Sequence, residues 1–219
     1  NNENVPEAWY NKAHVFLNIG KYEEALEALD KAIEVNPQYA AAFANKGSAL
    51  LHLKRYRESI EAGLEALKLN PKLEEVWANL GLAYLYLNEN QKALEAYRRA
   101  LSFNPDMPES WNNKGIALER LGKYEEALQA YVKLTELSPG EVKSWNLKAG
   151  ALYLLGRYSE ALEALQLALK TEPESVEYLS NKGLLLNELR QYAEALQVLE
   201  KAIQIDPGYS QGWFNKGLV

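Results

Sequence analysis

Trp9, Phe43, Trp77, Trp111, Trp145 and Trp213 stand 34 residues apart or at twice that interval, and Leu179 fills the one gap in the series. The prolines Pro37, Pro71, Pro105, Pro139, Pro173 and Pro207 keep the same beat. Self-similarity at a fixed period of this length means that one supersecondary unit recurs, each copy burying its apolar face against its neighbours. With Pro6 as position 1, the chain divides into repeats 6–39, 40–73, 74–107, 108–141, 142–175 and 176–209, a partial seventh at 210–219, and a tail at 1–5. The expectation is one solenoid domain over 6–219.

Within each repeat two stripes follow helical spacing. The aromatic at position 4, a small residue at position 8 (Ala13, Gly47, Gly81, Gly115, Ala149, Gly183, Gly217) and a large apolar one at position 11 lie at i, i+4 and i+7. That is one face of a helix, helix A. Positions 17, 20, 21, 24, 27 and 28, as in Tyr124, Ala127, Leu128, Tyr131, Leu134 and Thr135, form a second stripe, helix B. Gly20, Gly122 and Gly156 fall between the stripes, where a left-handed helix terminus favours glycine. The proline at position 32 disfavours helix in the residue before it and so closes helix B. Small residues at positions 8 and 20 let the paired helices approach, with aromatics filling the flanks.

This pattern resembles the tetratricopeptide repeat (TPR) family, whose unit carries Trp, Leu-Gly, Tyr, Gly, Tyr, Ala, aromatic, Ala and Pro at these positions. The resemblance runs from Pro6 to the C-terminus, with local departures at Gly63, Asn90, Leu134 and Leu179. It implies an all-α fold, an α-solenoid of antiparallel helix hairpins in a right-handed superhelix, helix A lining the concave side and helix B the convex side.

Position 6 holds Asn11, Asn45, Asn79, Asn113, Asn181 and Asn215, with Leu147 the exception. At about 100° per residue it lies roughly 200° from position 4, away from the hairpin's own core. Asparagine is a mediocre helix former, so packing does not ask for it there. Its amide offers donors and an acceptor, the complement of a peptide backbone. The series resembles the asparagine ladder in the repeat domain of O-linked N-acetylglucosamine transferases, which implies a role in holding an extended polypeptide. Local satisfaction of an inherited residue is the competing reading. Other candidate groove residues, at positions 2, 5, 9, 12 and 13, are Leu82, Leu85, Tyr86, Ile116, Glu119, Arg120, Gly150, Tyr153 and Leu154. Apolar residues opposite a helix's core stripe are unexpected for simple solvation. Gly150 opens room beside Tyr153 where the asparagine series breaks at Leu147, which predicts an apolar pocket for side chains of a bound segment. Packing between repeats competes with that reading.

Lysine at position 7 (Lys12, Lys46, Lys114, Lys148, Lys182, Lys216, with Leu80 excepted) reads as a stem packed on a neighbour with its ammonium in water. The family's carboxylate clamp for chaperone tails would need lysine at position 5, which here holds Tyr10, Ala44, Ala78, Asn112, Asn146, Ser180 and Phe214. Carboxylates at the starts of both helices match the helix dipole, and basic residues at position 16 read as a solvated edge.

A net charge of -6 and a pI near 5.2 argue against nucleic acid as a partner. No apolar stretch approaches the roughly 20 residues of a membrane-crossing helix. Zero cysteines exclude thiolate chemistry. His14 and His52 lack a third ligand or an oriented nucleophile, and no phosphate-binding glycine loop is present. The expectation is therefore a non-enzymatic interaction scaffold without a cofactor, binding a peptide or protein segment in the groove of A helices. Two alternatives stand beside it: a homo-oligomer stacking end to end through Trp213, Phe214 and Leu218, and a substrate-docking segment of a larger enzyme. The sequence begins without Met and stops inside a patterned segment, which reads as a fragment of something longer.

Overall fold

The computed structural model describes residues 5–219, so the tail expected at 1–5 lies outside the described residues except for Val5, which precedes the first helix. The described residues form thirteen α-helices and no strand. The A helices are α1 (Pro6–Asn18), α3 (Ala40–His52), α5 (Glu74–Tyr86), α7 (Pro108–Arg120), α9 (Val142–Leu154), α11 (Val176–Glu188) and α13 (Ser210–Leu218). The B helices are α2 (Tyr22–Val35), α4 (Tyr56–Leu69), α6 (Asn90–Phe103), α8 (Tyr124–Leu137), α10 (Tyr158–Thr171) and α12 (Tyr192–Ile205). This is the α-solenoid class that the period predicts.

The chain divides into two compact units that part between Ala117 and Leu118, inside α7. In the first, α1 pairs with α2, α3 with α4 and α5 with α6, while α2 packs on α3 and α4 on α5. The A helices also touch one another, α1 on α3 and α3 on α5. In the second unit α9 pairs with α10 and α11 with α12, while α11 touches α13 in the same manner. A helices thus make the crowded row of each unit, the arrangement that turns their outer positions toward a shared face.

The A-to-B turn sits at position 15. Gly20, Gly122 and Gly156 take positive φ of 71° to 74° there, as the turn requires, and so do Lys54, Asn88 and Arg190 at 58° to 60°. At the other end of each repeat, the residue before proline is extended: Asn36 has φ −134° and ψ 93°. The Oδ1 atoms of Asn36, Asn70, Asn104 and Asp206 each accept from the N–H two residues on, at 2.9–3.1 Å. This Asx turn folds the B-to-A corner over the proline. The carbonyl of that proline is then held by the next repeat: the indole N–H groups of Trp77, Trp111, Trp145 and Trp213 donate to the oxygens of Pro71, Pro105, Pro139 and Pro207 at 2.8–3.1 Å. The two most regular words of the sequence are therefore bonded to each other.

Position 8 is small because helix B arrives there. A Cβ on Gly47 would lie 3.3 Å from the Ser59 carbonyl oxygen, and the Ser59 hydroxyl donates to the Gly47 carbonyl at 2.7 Å. A Cβ on Gly81 would sit 2.7 Å from the ring of Tyr97, and one on Gly183 would collide with Leu199. Leu29, Leu50, Leu94, Leu165, Leu186 and Leu199 are fully buried, each contributing about 1.5–3 kcal/mol. Two departures from the repeat pattern turn out to be one. Gly63, where other repeats carry a large residue, leaves room that Leu80 fills, and Leu80 is the residue that replaces the usual lysine of position 7.

Candidate functional site

The A helices of the second unit line an open cavity of about 330 Å³. Helix α9 supplies Asn146, Leu147, Ala149, Gly150, Tyr153 and Leu154. Glu119 closes one side from the last turn of α7, and Asn181, Leu184 and Leu185 close the other from α11. Every lining residue thus belongs to an A helix, because the outer positions of α9 face neither its own B helix nor water alone. Gly150 makes the depth: a Cβ built there meets nothing within 4 Å. Leu147, at the position where the series otherwise has asparagine, provides an apolar wall in place of an amide.

The polar groups of this cavity are held by one another. Asn181 donates from Nδ2 to Oδ1 of Asn146 at 3.0 Å, and Asn146 donates to Oε1 of Glu177 at 2.9 Å. Burial pushes the Glu119 carboxyl above the usual carboxylate range, an effect partly offset by the Tyr131 hydroxyl. Tyr131 itself is wholly buried, and its hydroxyl has no partner at ordinary hydrogen-bond length. Burial first, then the Glu119 charge, push its ionisation far up. Burial raises Tyr153 too, with the Glu188 carboxyl the next contributor. Glu119 therefore lines an apolar space that no lysine or arginine lines, and Glu177 and Glu188 stand next to its Asn146 and Tyr153.

The sequence-predicted residues divide. Glu119, Gly150, Tyr153, Leu154 and Asn181 come together in the cavity. Arg120 is exposed and does not line it. In the first unit Asn11 is exposed, and Asn45, Asn79, Asn113, Leu82 and Ile116 are half-buried. Leu85 is buried in packing, and Tyr86 stacks on Tyr56 with ring centroids 4.7 Å apart. Asn215 departs from the expectation of a free amide. It is 2% exposed, donates to the carbonyl and hydroxyl of Ser180 at 3.2 and 2.9 Å, and accepts from Gln211 at 2.9 Å. Position 6 does point away from its own hairpin, but in Asn181 and Asn215 it reaches position 5 of the preceding repeat. Asn113 lies by the buried Tyr97 hydroxyl and accepts from Asn112 at 3.3 Å.

Sequence reading passed over Asn146, Leu184 and Leu185, although Asn146 stands at position 5 and Leu184 at position 9, both groove positions of the repeat. The lysines of position 7 are structural, as expected: Lys114 and Lys148 lie 4.3 and 5.2 Å from the ring centres of Trp111 and Trp145. Lys46 pairs with Asp30 at 2.6 Å, and Lys216 with Glu200 at 3.0 Å. His14 accepts from Asn18 at 3.2 Å, and His52 stacks on Tyr22 at 4.6 Å. Among the described residues no three His, Asp or Glu side chains gather as a metal site, and no helix is long and apolar enough to cross a membrane. Trp213, Phe214 and Leu218 are exposed on α13.

A family model described as tetratricopeptide repeat matches residues 10–74, 79–142, 120–171 and 146–210. No curated protein matches the sequence. Among solved structures, YrrB, described as a TPR protein with an unusual peptide-binding site, superimposes with a TM-score of 0.81 at 22% identity, covering 88% of this chain and 99% of YrrB. PilF of Pseudomonas aeruginosa gives 0.77 at 18% identity over 97% of this chain and 96% of its own. A tetratricopeptide repeat protein from Parabacteroides merdae gives 0.75 at 22% identity over 97% and 84%. At these identities the likeness is one of fold.

Proposed function

Because the chain belongs to the tetratricopeptide repeat family, whose members mediate protein–protein interactions, we propose that it is a scaffold that takes a peptide or protein segment on the face of its A helices. The cavity carries this reading. An open apolar space walled by Leu147, Tyr153, Leu184 and Leu185 is costly to leave in water, and it has the mixture of apolar walls and few polar groups expected of a ligand site. Asn181 and Asn146 supply amides at its edge, and Asn11, Asn45, Asn79 and Asn113 hold the repeat position of Asn181 in the first unit. The peptide-binding site described for YrrB agrees with such a use of the fold.

Gly150→Leu tests it. The new side chain has room, so the helix should fold at least as well, gaining up to about 1 kcal/mol in propensity over glycine. It fills the cavity, so peptides recovered on the unaltered protein should no longer bind. Undiminished binding by the folded variant would move the site elsewhere.

A further inference from the structure

The cavity has a chemical preference that shape alone does not give. Its walls are apolar, yet a carboxylate stands at Glu119 and the bonded pair Asn146–Glu177 lies at its rim, with Glu188 beside Tyr153. No cation answers Glu119: no ion pair joins it among the described residues, and the one group that acts on it is the buried Tyr131 hydroxyl. A purely apolar occupant would seal both groups from water with nothing to satisfy the carboxylate, which is the expensive outcome for a buried polar group. An acidic occupant would add like charge. A long basic side chain fits each requirement, since its methylene stem lies along apolar surface while its head supplies donors and a positive charge.

We propose that this cavity receives a lysine or arginine of the bound segment, its stem against Leu147, Tyr153 and Leu184 and its cation on the Glu119 carboxylate. The proposal rests on the groove reading above and adds the class of side chain that the groove selects. The buried Tyr131 hydroxyl lies on the protein side of Glu119 and has no partner at ordinary hydrogen-bond length, so the cation of the bound segment is the group that answers the carboxylate. Asn181, whose Nδ2 is already given to Asn146, keeps its own Oδ1 as a second acceptor at the cavity wall. Specificity then arises from the asymmetry of the site, because a neutral side chain of equal length leaves the charge unanswered.

The experiment selects a random dodecapeptide library displayed on phage against the folded 219-residue chain. The strongest peptide is then synthesised with each basic residue replaced in turn by norleucine, and each version is titrated against the wild type and against Glu119→Gln. One basic position should lose about tenfold in affinity on the wild type and little on Glu119→Gln, the scale of a charge-assisted contact. Peptides that bind through the Gly150 face but show no basic position coupled to Glu119 would overturn this inference and leave the groove reading standing. A library that yields no binder sensitive to Gly150→Leu would overturn both. Circular dichroism of Glu119→Gln, which preserves the shape of the side chain, separates lost recognition from lost folding.

Discussion

Leu80 occupies the space that Gly63 leaves empty: a Cβ on Gly63 would lie 3.0 Å from the Cδ2 of Leu80. Each residue breaks the repeat pattern alone, and together they restore a filled core. Gly63→Leu should destabilise the wild type by about 1–3 kcal/mol through overpacking. Leu80→Ala alone should cost about 2–5 kcal/mol through the cavity it creates. The double variant should cost clearly less than the sum, because the new leucine enters the vacated volume. Urea denaturation of the four proteins measures this coupling, and simple additivity would refute the compensation.

Lys54 holds a left-handed backbone that three sister repeats assign to glycine. For a residue with a Cβ that conformation costs about 1–2 kcal/mol, of which the larger entropy of an unfolded glycine returns part. Lys54→Gly should therefore raise stability by up to about 1 kcal/mol. A lowered urea midpoint would show that the Lys54 side chain contributes more than its backbone loses.

Gly81 has no room for a methyl group, with Tyr97 ring atoms at 2.7–2.9 Å from its would-be Cβ and the ring itself 1% exposed. Gly81→Ala should cost about 1–3 kcal/mol even though alanine is the better helix former. Adding Tyr97→Leu should recover part of the loss. An unchanged melting temperature in Gly81→Ala would mean that α6 can shift away without penalty.

Burial raises the Glu119 carboxyl, so the folded state keeps its proton to higher pH than the unfolded chain does. The stability linked to this group is fully present below the ordinary carboxylate range, and it is lost as pH rises through the shifted value. Glu119→Gln resembles the protonated form at every pH. The variant should therefore match the wild type in acid and be the more stable of the two at neutral pH. Equal stability at neutral pH would show that Tyr131 and solvent already compensate the ionised carboxylate.

The period, the helix pairs and the small residues of position 8 were legible because the same steric demand recurs from repeat to repeat, and the αL turns were legible where glycine holds them, at Gly20, Gly122 and Gly156. Open space beside Gly150 was suggested as well, by a helical glycine next to an interrupted asparagine series, and a cavity lies there. What the sequence hid is where amides go. Asn181 and Asn215 reach residues 35 positions earlier, and only the approach of one A helix to the next decides whether an amide meets a side chain or remains open. Gly63 and Leu80 likewise read as two irregularities until their contact made them one. Such pairings depend on distances between repeats, which a pattern within one repeat does not contain.

The bond from each tryptophan to the preceding proline also gives the chain its own optical labels. Trp77, Trp111, Trp145 and Trp213 each have the indole N–H tied to a carbonyl that belongs to the corner between two repeats. When a corner opens, that indole passes from a fixed partner to water and its emission changes. A set of variants keeping one tryptophan and carrying phenylalanine at the others would thus report, corner by corner and without any added dye, the order in which this array comes apart.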